Sequence, residues 1–201
     1  MASSPFILAI VGTYRKGGMT DQAVEALLAS LRSGGAQVRK VYLTDLKLRY
    51  CTNCRSCTQQ AGAAPGACVL DDDMTALVAD IVKADGFVFA SPMNAGTVTA
   101  VMKTFIERLI CFAYWPWGSG APKSRHASIA KRAVFITSSA APAVMTRVTG
   151  DVARLMKTAA KMCGAQVSGS LFIGMAAQQK EPVLPERLKS KAAALAGRLM
   201  A

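Results

Sequence analysis

Six consecutive apolar residues, Phe6-Ile7-Leu8-Ala9-Ile10-Val11, read as a buried strand. Val24, Leu27, Leu28 and Leu31 follow at i, i+3, i+4 and i+7, the stripe of an amphipathic helix. Residues 36–43 alternate well enough to predict a second strand. A loop of about thirty residues, 44–73, comes next, and loops that long inside a compact fold are usually functional or disordered. Asp71-Asp72-Asp73 then offers the N-cap of a short helix whose stripe is Met74, Leu77, Val78, Ile81 and Val82. Gly86-Phe87-Val88-Phe89-Ala90 predicts a third strand buried on both faces. Val101, Phe105, Leu109 and Phe112 line a further helix, residues 113–130 are irregular, and Ala133–Thr137 is a fourth strand. A helix over 144–163 sets Arg147, Asp151, Arg154 and Lys161 on one side and Val148, Val152, Leu155, Ala159 and Met162 on the other. Gln166–Ile173 reads as a fifth strand, and Leu184, Leu188, Ala192, Leu195 and Leu199 mark a closing helix.

Strands alternating with helices predict an α/β fold, a doubly wound five-stranded parallel sheet with helices on both faces. The chain of 201 residues is expected to form one domain, 1–201, with a cysteine-rich loop insertion at about 44–73. In such folds ligands lie beyond the carboxyl ends of the strands, where the strand order reverses. The polar loops 12–20, 91–97 and 137–142 all follow strands, so topology alone puts them around one pocket.

Composition narrows the picture. Hydrophobic residues make up 52% of the chain, which excludes a disordered protein, and no apolar run approaches the roughly 20 residues of a membrane span. The N-terminal apolar run lacks the charged flank of a signal peptide, so a cytoplasmic protein without membrane contact is expected. The net charge of +12 is unevenly placed: residues 1–101 hold nine basic and eight acidic side chains, residues 102–201 fifteen and four. No aromatic residues interleave with the charges of the basic helix, so a solvated face is the better reading than a nucleic-acid partner.

The richest chemistry sits in Gly12-Thr13-Tyr14-Arg15-Lys16-Gly17-Gly18-Met19-Thr20. Strand, glycine-rich turn and helix in that order gather backbone N–H groups and a positive helix end at one point, which suits phosphate. Arg15 and Lys16 add charge, and the hydroxyls of Thr13 and Thr20 add donors. The match to a Walker loop is weak because Gly18 stands where its lysine belongs, and the dinucleotide fingerprint is weak too, failing at Tyr14. A plain tight turn is the competing reading of the loop taken alone.

This loop resembles the Gly-Ser-x-Arg-x-x-Gly-x-Thr phosphate loop of flavodoxin-like, NADPH-dependent FMN reductases. Ser91-Pro92-Met93-Asn94-Ala95-Gly96 resembles their Ser-Pro-x-Tyr-x-Gly loop, and Met102-Lys103-Thr104-Phe105-Ile106-Glu107-Arg108 their Met-Lys-x-Phe-Ile-Asp-Arg helix. The resemblance spans roughly residues 6–175, with Asn94 in place of an aromatic and Glu107 in place of Asp. It implies the flavodoxin-like strand order 2-1-3-4-5 and an enzyme oxidising NAD(P)H through FMN. The FMN phosphate would lie on Thr13, Arg15, Gly18, Met19 and Thr20, and the ring edge against Pro92, Met93, Asn94, Ala95 and Gly96. Ser138, Ser139 and Ala140 would flank the ring from the third loop by topology. A flavin needs its phosphate held, its ring nitrogens hydrogen-bonded and one face open, so no separate acid–base set is required. His126, the single histidine, reads as a surface residue.

Four of the six cysteines, Cys51, Cys54, Cys57 and Cys68, are spaced C-x2-C-x2-C-x10-C within the long loop. The spacing resembles ferredoxin-type ligation of a [4Fe–4S] cluster and the loop of iron–sulfur flavoproteins in the same group, although the last gap is longer. Structural zinc and free thiols are the alternatives. Cys111 and Cys163 fall on apolar helix positions and are expected in the core. Electrons would pass to a quinone, flavin, nitro or azo compound or a redox protein. A homo-dimer or tetramer is implied by the resemblance, with Tyr114-Trp115-Pro116-Trp117 either covering a partner's ring or packing on its own domain. A non-enzymatic electron carrier and a basic, cluster-bearing nucleic-acid regulator are the competing functions. Turnover of NAD(P)H with a quinone separates the first, and salt-sensitive DNA binding without flavin would mark the second.

Overall fold

A computed structural model describes residues 4–200. Its strands are β1 (Phe6–Val11), β2 (Gln37–Tyr42), β3 (Gly86–Ala90), β4 (Met93–Asn94), β5 (Thr97–Val98), β6 (Ala113–Tyr114), β7 (Lys123–Ser124), β8 (Lys131–Ser138) and β9 (Ala165–Ile173). Its helices are α1 (Met19–Ser33), α2 (Met74–Lys83), α3 (Ala100–Arg108), α4 (Ala143–Thr149), α5 (Val152–Met162), α6 (Glu186–Ala194) and α7 (Ala196–Met200). Five strands form one parallel sheet in the order β2-β1-β3-β8-β9. Setting aside the two short hairpins β4–β5 and β6–β7, this is the expected order 2-1-3-4-5.

Alternation along the strands divides the core in two. Leu8, Ile10, Phe87, Phe89 and Phe135 face α2, α3 and α5. Ile7, Ala9, Val11, Val88, Ala90, Val134 and Ile136 face α1, α6 and α7. Strands covered on both faces must be apolar at every position, which is why β1 and β3 read as continuous runs. The chain leaves β1 towards β2 on one side and returns to β3 on the other. The crevice therefore opens at the carboxyl ends of β1 and β3.

Several expected elements are corrected. The helix expected over 144–163 is two helices, α4 and α5, broken at Gly150. A Cβ on Gly150 would lie 2.7 Å from Met93 Sδ, and Asp151 N donates to Gly96 O at 2.9 Å, so the break is where the β4–β5 hairpin docks. Val148, assigned to the apolar side, is 81% exposed as a result. The three aspartates do open α2 as expected, with Asp73 as its N-cap: Asp72 Oδ1 accepts from Met74 N at 3.1 Å, and Asp73 Oδ2 accepts from Lys47 N at 2.7 Å. The closing helix starts after Pro185, because proline suits a helix start and not its interior, which leaves Leu184 outside. The helix after Val101 ends as α at Arg108 and continues as a 3-10 turn over Leu109–Phe112. His126 is half-buried rather than a surface residue: it stacks on Phe112 at 5.4 Å, and its Nε2 lies 3.0 Å from Met162 O. Cys111 and Cys163 are buried as expected.

Candidate functional site

The turn between β1 and α1 is built on two close approaches. Gly12 donates its N–H to Ala90 O at 2.7 Å, and a Cβ there would lie 2.8 Å from Met102 Cβ. Thr99, buried at the start of α3, donates its hydroxyl to Gly12 O at 2.6 Å and its N–H to Ser91 Oγ at 3.0 Å. The loops after β1 and β3 are thereby tied to each other. Gly17 takes φ +76°, a conformation glycine adopts without strain. Gly18 is the N-cap of α1, and among the described residues no side chain caps that helix. The first-turn N–H groups are left for an external acceptor, and an anion is the acceptor that the helix end favours.

The cleft at this point has a volume of about 210 Å³ and is lined by Thr13, Arg15, Gly18, Met19 and Thr20 from the first loop. Pro92, Met93 and Asn94 line it from the second, and Ser138, Ser139 and Ala140 from the third. Ala95 and Gly96, also expected here, form the tip of the β4–β5 hairpin at φ +48° and +79°, beside the cleft and not among its lining residues. Both central residues of a two-residue hairpin turn need positive φ, so their role is to aim the hairpin. The third loop is held from within. Thr20 and Ser138 share a hydroxyl bond of 2.7 Å, and Ser139 is bonded through its hydroxyl to Thr146 of α4.

Ala176 and Ala177 form a fourth wall that sequence reasoning missed. They follow β9, and Ala176 N donates to Ser139 O at 2.8 Å. The signal was Gly174 immediately after the fifth strand: a Cβ there would lie 2.3 Å from Ala143 N. Lys16 departs from expectation in the other direction. Its Nζ bonds both carboxylate oxygens of Asp45 at 2.6 and 2.8 Å, so Arg15 is the cation at the cleft.

Behind the loop lies a polar anchor. Asp21 accepts from Gly17 N at 2.7 Å, from Tyr42 Oη at 2.8 Å and from Lys40 Nζ. Burial pushes the Asp21 carboxyl up, but the Gly17 N–H, Lys40 and Tyr42 outweigh it and hold the group below its usual range. Burial likewise pushes Lys40 down, and bonds to Asp21, Glu25 and Tyr42 raise it on balance. The only carboxylate in the first turn of α1 is thus neutralised by its own lysine, so it does not repel an anion at the helix start.

The long loop encloses a second cavity of about 570 Å³, whose lining includes Cys51, Cys54, Cys57, Cys68 and Cys111. Asn53 at φ +53° and Arg55 at φ +60° coil the C-x2-C-x2-C segment so that all three thiols reach it. Gly66 passes against Cys57, where a Cβ would lie 1.7 Å from Cys57 O, and donates to Cys111 O at 2.9 Å. Arg55 closes the rim. Its guanidinium sits 3.9 Å from the Trp115 ring and 4.1 Å from the Trp117 ring. The Tyr114–Trp117 segment therefore packs on the cysteine loop of its own chain. Arg125, 8% exposed, donates to the carbonyls of Cys57, Gly62, Cys111 and Ala113.

The thiols differ in acidity. Burial, then the neighbouring thiols, push Cys57 up, and burial pushes Cys111 up to about 12. Hydrogen bonds from Ser56 hold Cys54 down. Among the described residues no group of three or more His, Cys, Asp or Glu side chains converges closely enough for a single metal ion. The thiols ring a space instead of meeting at a point.

Residues 5–179 match the model of the NADPH-dependent FMN reductase family, and the chain belongs to that family. It is 37% identical to an iron-sulfur flavoprotein of Archaeoglobus fulgidus over 107 residues, 53% of this chain and 46% of that protein. It is 30% identical to an iron-sulfur flavoprotein of Methanocaldococcus jannaschii over 102 residues, 51% and 49% respectively. The chain thus spans about half the length of these relatives, by the aligned 46% and 49%. Its fold is shared with the solved NAD(P)H:quinone oxidoreductase from Methanothermobacter marburgensis at 14% identity, with a TM-score of 0.74 and coverage of 99% and 100%. Among the described residues no helix is long and apolar enough to cross a membrane.

Proposed function

We propose that this chain is an FMN-dependent NAD(P)H oxidoreductase that passes electrons to a small-molecule or protein acceptor, with a [4Fe–4S] cluster in the cysteine cavity. The observation that carries it is the cleft at the carboxyl ends of β1, β3 and β8, an uncapped helix start beside one arginine and a ring of hydroxyls. A volume of about 210 Å³ is below the roughly 300–1,000 Å³ of a ligand pocket, which suits the phosphate end of FMN with the ring across the open rim. When bound there, FMN supplies hydride acceptance and electron release in single or paired steps.

The chain's own residues bind and orient. The N–H groups at Met19 and Thr20, with Arg15, would hold the phosphate dianion, and Thr13 would add a hydroxyl; Gly18 N already donates to Arg15 O at 3.2 Å and serves to shape the turn. Pro92, Met93 and Asn94, which line the cleft on one side, and Ser139 and Ala140, which line it on the other, would border the ring edge. Asn94 is exposed at its hairpin, so a ring seated there would keep one face open to a nicotinamide. Cys51, Cys54, Cys57 and Cys68 would hold the cluster, a one-electron store. What supports the cluster is that four thiols line one cavity, beside a buried guanidinium that bonds one of them.

A homo-oligomer belongs to the same proposal. Val144, Met145 and Val148 on α4 are 70%, 50% and 81% exposed beside the cleft, an apolar face that a second copy would cover. The test is purification under nitrogen followed by an absorption spectrum and an NAD(P)H oxidation assay with a quinone. Flavin bands, an iron–sulfur shoulder and steady turnover are expected. Colourless protein that does not quench added FMN fluorescence would sink the flavin reading. Flavin bands without turnover would leave a carrier in place of an enzyme.

A further inference from the structure

One side chain at the cysteine cavity is too well fixed for a mere filler. Arg108, at the end of α3, is 3% exposed. Its Nη1 lies 2.5 Å from Asp72 Oδ2 and donates to Arg49 O at 2.8 Å. Its Nη2 donates to Asp72 Oδ1 at 3.0 Å and reaches Cys68 Sγ at 3.5 Å. Asp72 is in turn held from its other sides, by Arg49 N at 2.9 Å and Met74 N at 3.1 Å. Both side chains of the pair are 2% exposed.

A buried ion pair of this kind is not needed for stability, since apolar residues of similar volume often serve as well or better. What an apolar pair cannot do is hold a guanidinium N–H on the sulfur of Cys68. The bidentate carboxylate fixes the plane of the guanidinium, and that plane directs Nη2 at the thiol. Nη2 is the atom of the pair in contact with this sulfur, so the pair presents an N–H donor there, with the Asp72 carboxylate partly offsetting the charge.

We propose that Arg108, oriented by Asp72, is a positioning residue that raises the reduction potential of the cluster through its hydrogen bond to Cys68. The inference rests on the cluster reading above. Reduction places one electron on an already anionic group, and a hydrogen bond and a positive charge at a ligating sulfur stabilise that more negative state. No proton need move, because the guanidinium stays charged throughout.

Two variants test it: Arg108→Lys, which keeps a charge but loses the planar fork, and Arg108→Met with Asp72→Asn, which leaves no buried charge unpaired. Iron, acid-labile sulfide and FMN are measured per chain, and the cluster potential is read by an EPR-monitored redox titration. The double variant is expected to keep both cofactors and to shift the reduction equilibrium about tenfold towards the oxidised form, ~59 mV for a one-electron couple. Arg108→Lys should move it the same way by less. An intact cluster at the parent's potential in both variants overturns the inference. Loss of iron from both with FMN retained also overturns it, because the pair then only holds the loop. An iron-free parent, by contrast, sinks the cluster reading itself and this inference with it.

Discussion

A Cβ placed on Gly12 would lie 2.8 Å from Met102 Cβ, so Gly12→Ala must push the first loop off α3. Overpacking of this kind costs about 1–3 kcal/mol, and urea denaturation should show a loss in that range together with weaker FMN binding. Gly66→Ala meets a harder obstacle, Cys57 O at 1.7 Å, and bears on the other cavity. Iron content should fall in that variant while FMN content holds. Arg15→Ala removes the cation from the cleft. A hydrogen bond to a charged group contributes about 1.5–3 kcal/mol, less where the arginine is exposed as here, so an FMN Kd about tenfold higher is expected by fluorescence titration.

At the scale of elements, the Asp21–Lys40 pair joins the start of α1 to β2. The Asp21 carboxyl is lower in the folded chain than its usual 3.8, so its contribution is complete above that value and is lost as pH falls through the lowered one. Lys40 is raised above its usual 10.5, so its contribution is complete below 10.5 and is lost as pH rises through the raised value. Apo-protein stability attributable to this pair should therefore be flat between about pH 4 and 10, and Asp21→Asn should make the acid limb of the melting-temperature profile shallower, Asp72, also held low by Arg108, keeping part of it. Arg125 joins a different pair of segments, the cysteine loop and the residues leading into the β6–β7 hairpin. Arg125→Ala orphans buried carbonyls at about 1–3 kcal/mol each, and hydrogen exchange should quicken over 57–66 and 111–125 before the sheet is affected.

For the whole molecule, the cleft joins loops from four strands, so a ligand seated there ties both halves of the sheet together. Ligand at a hundred times its Kd stabilises by about 2.7 kcal/mol, which for a chain near 200 residues is roughly 5–10 °C in Tm. A calorimetric scan with and without FMN measures it. The exposed apolar residues of α4 make a second prediction at this scale. Val148→Lys should shift sedimentation towards the monomer if a second copy covers that face, and leave the FMN bands unchanged.

The five buried strands and the three loops that wall the cleft were legible from periodicity and topology because each records a local fact, whereas the order 2-1-3-4-5 came only with the family resemblance. Apolar runs mark buried strands, and a polar loop after a parallel strand must lie at one edge whatever its partners. Eleven of the expected residues line the cleft: Ser138, Ser139 and Ala140 were expected from topology, and the other eight, Asn94 among them, from the motifs of the family resemblance. The helix break at Gly150 and the inward turn of His126 were not legible. Each depends on a neighbour from another element, Met93 in one case and Phe112 in the other.

Charge was the least legible property of all. Lys16 sits beside Arg15 in sequence, yet Asp45 holds it, while Arg108 reaches Asp72 across 36 positions and Cys68 across 40. Composition and spacing supplied the donors, the four thiols and the phosphate-type turn, since these follow from residue identity and backbone direction. Packing alone selected which cation faces which anion, because electrostatic partners are chosen by distance and desolvation in three dimensions.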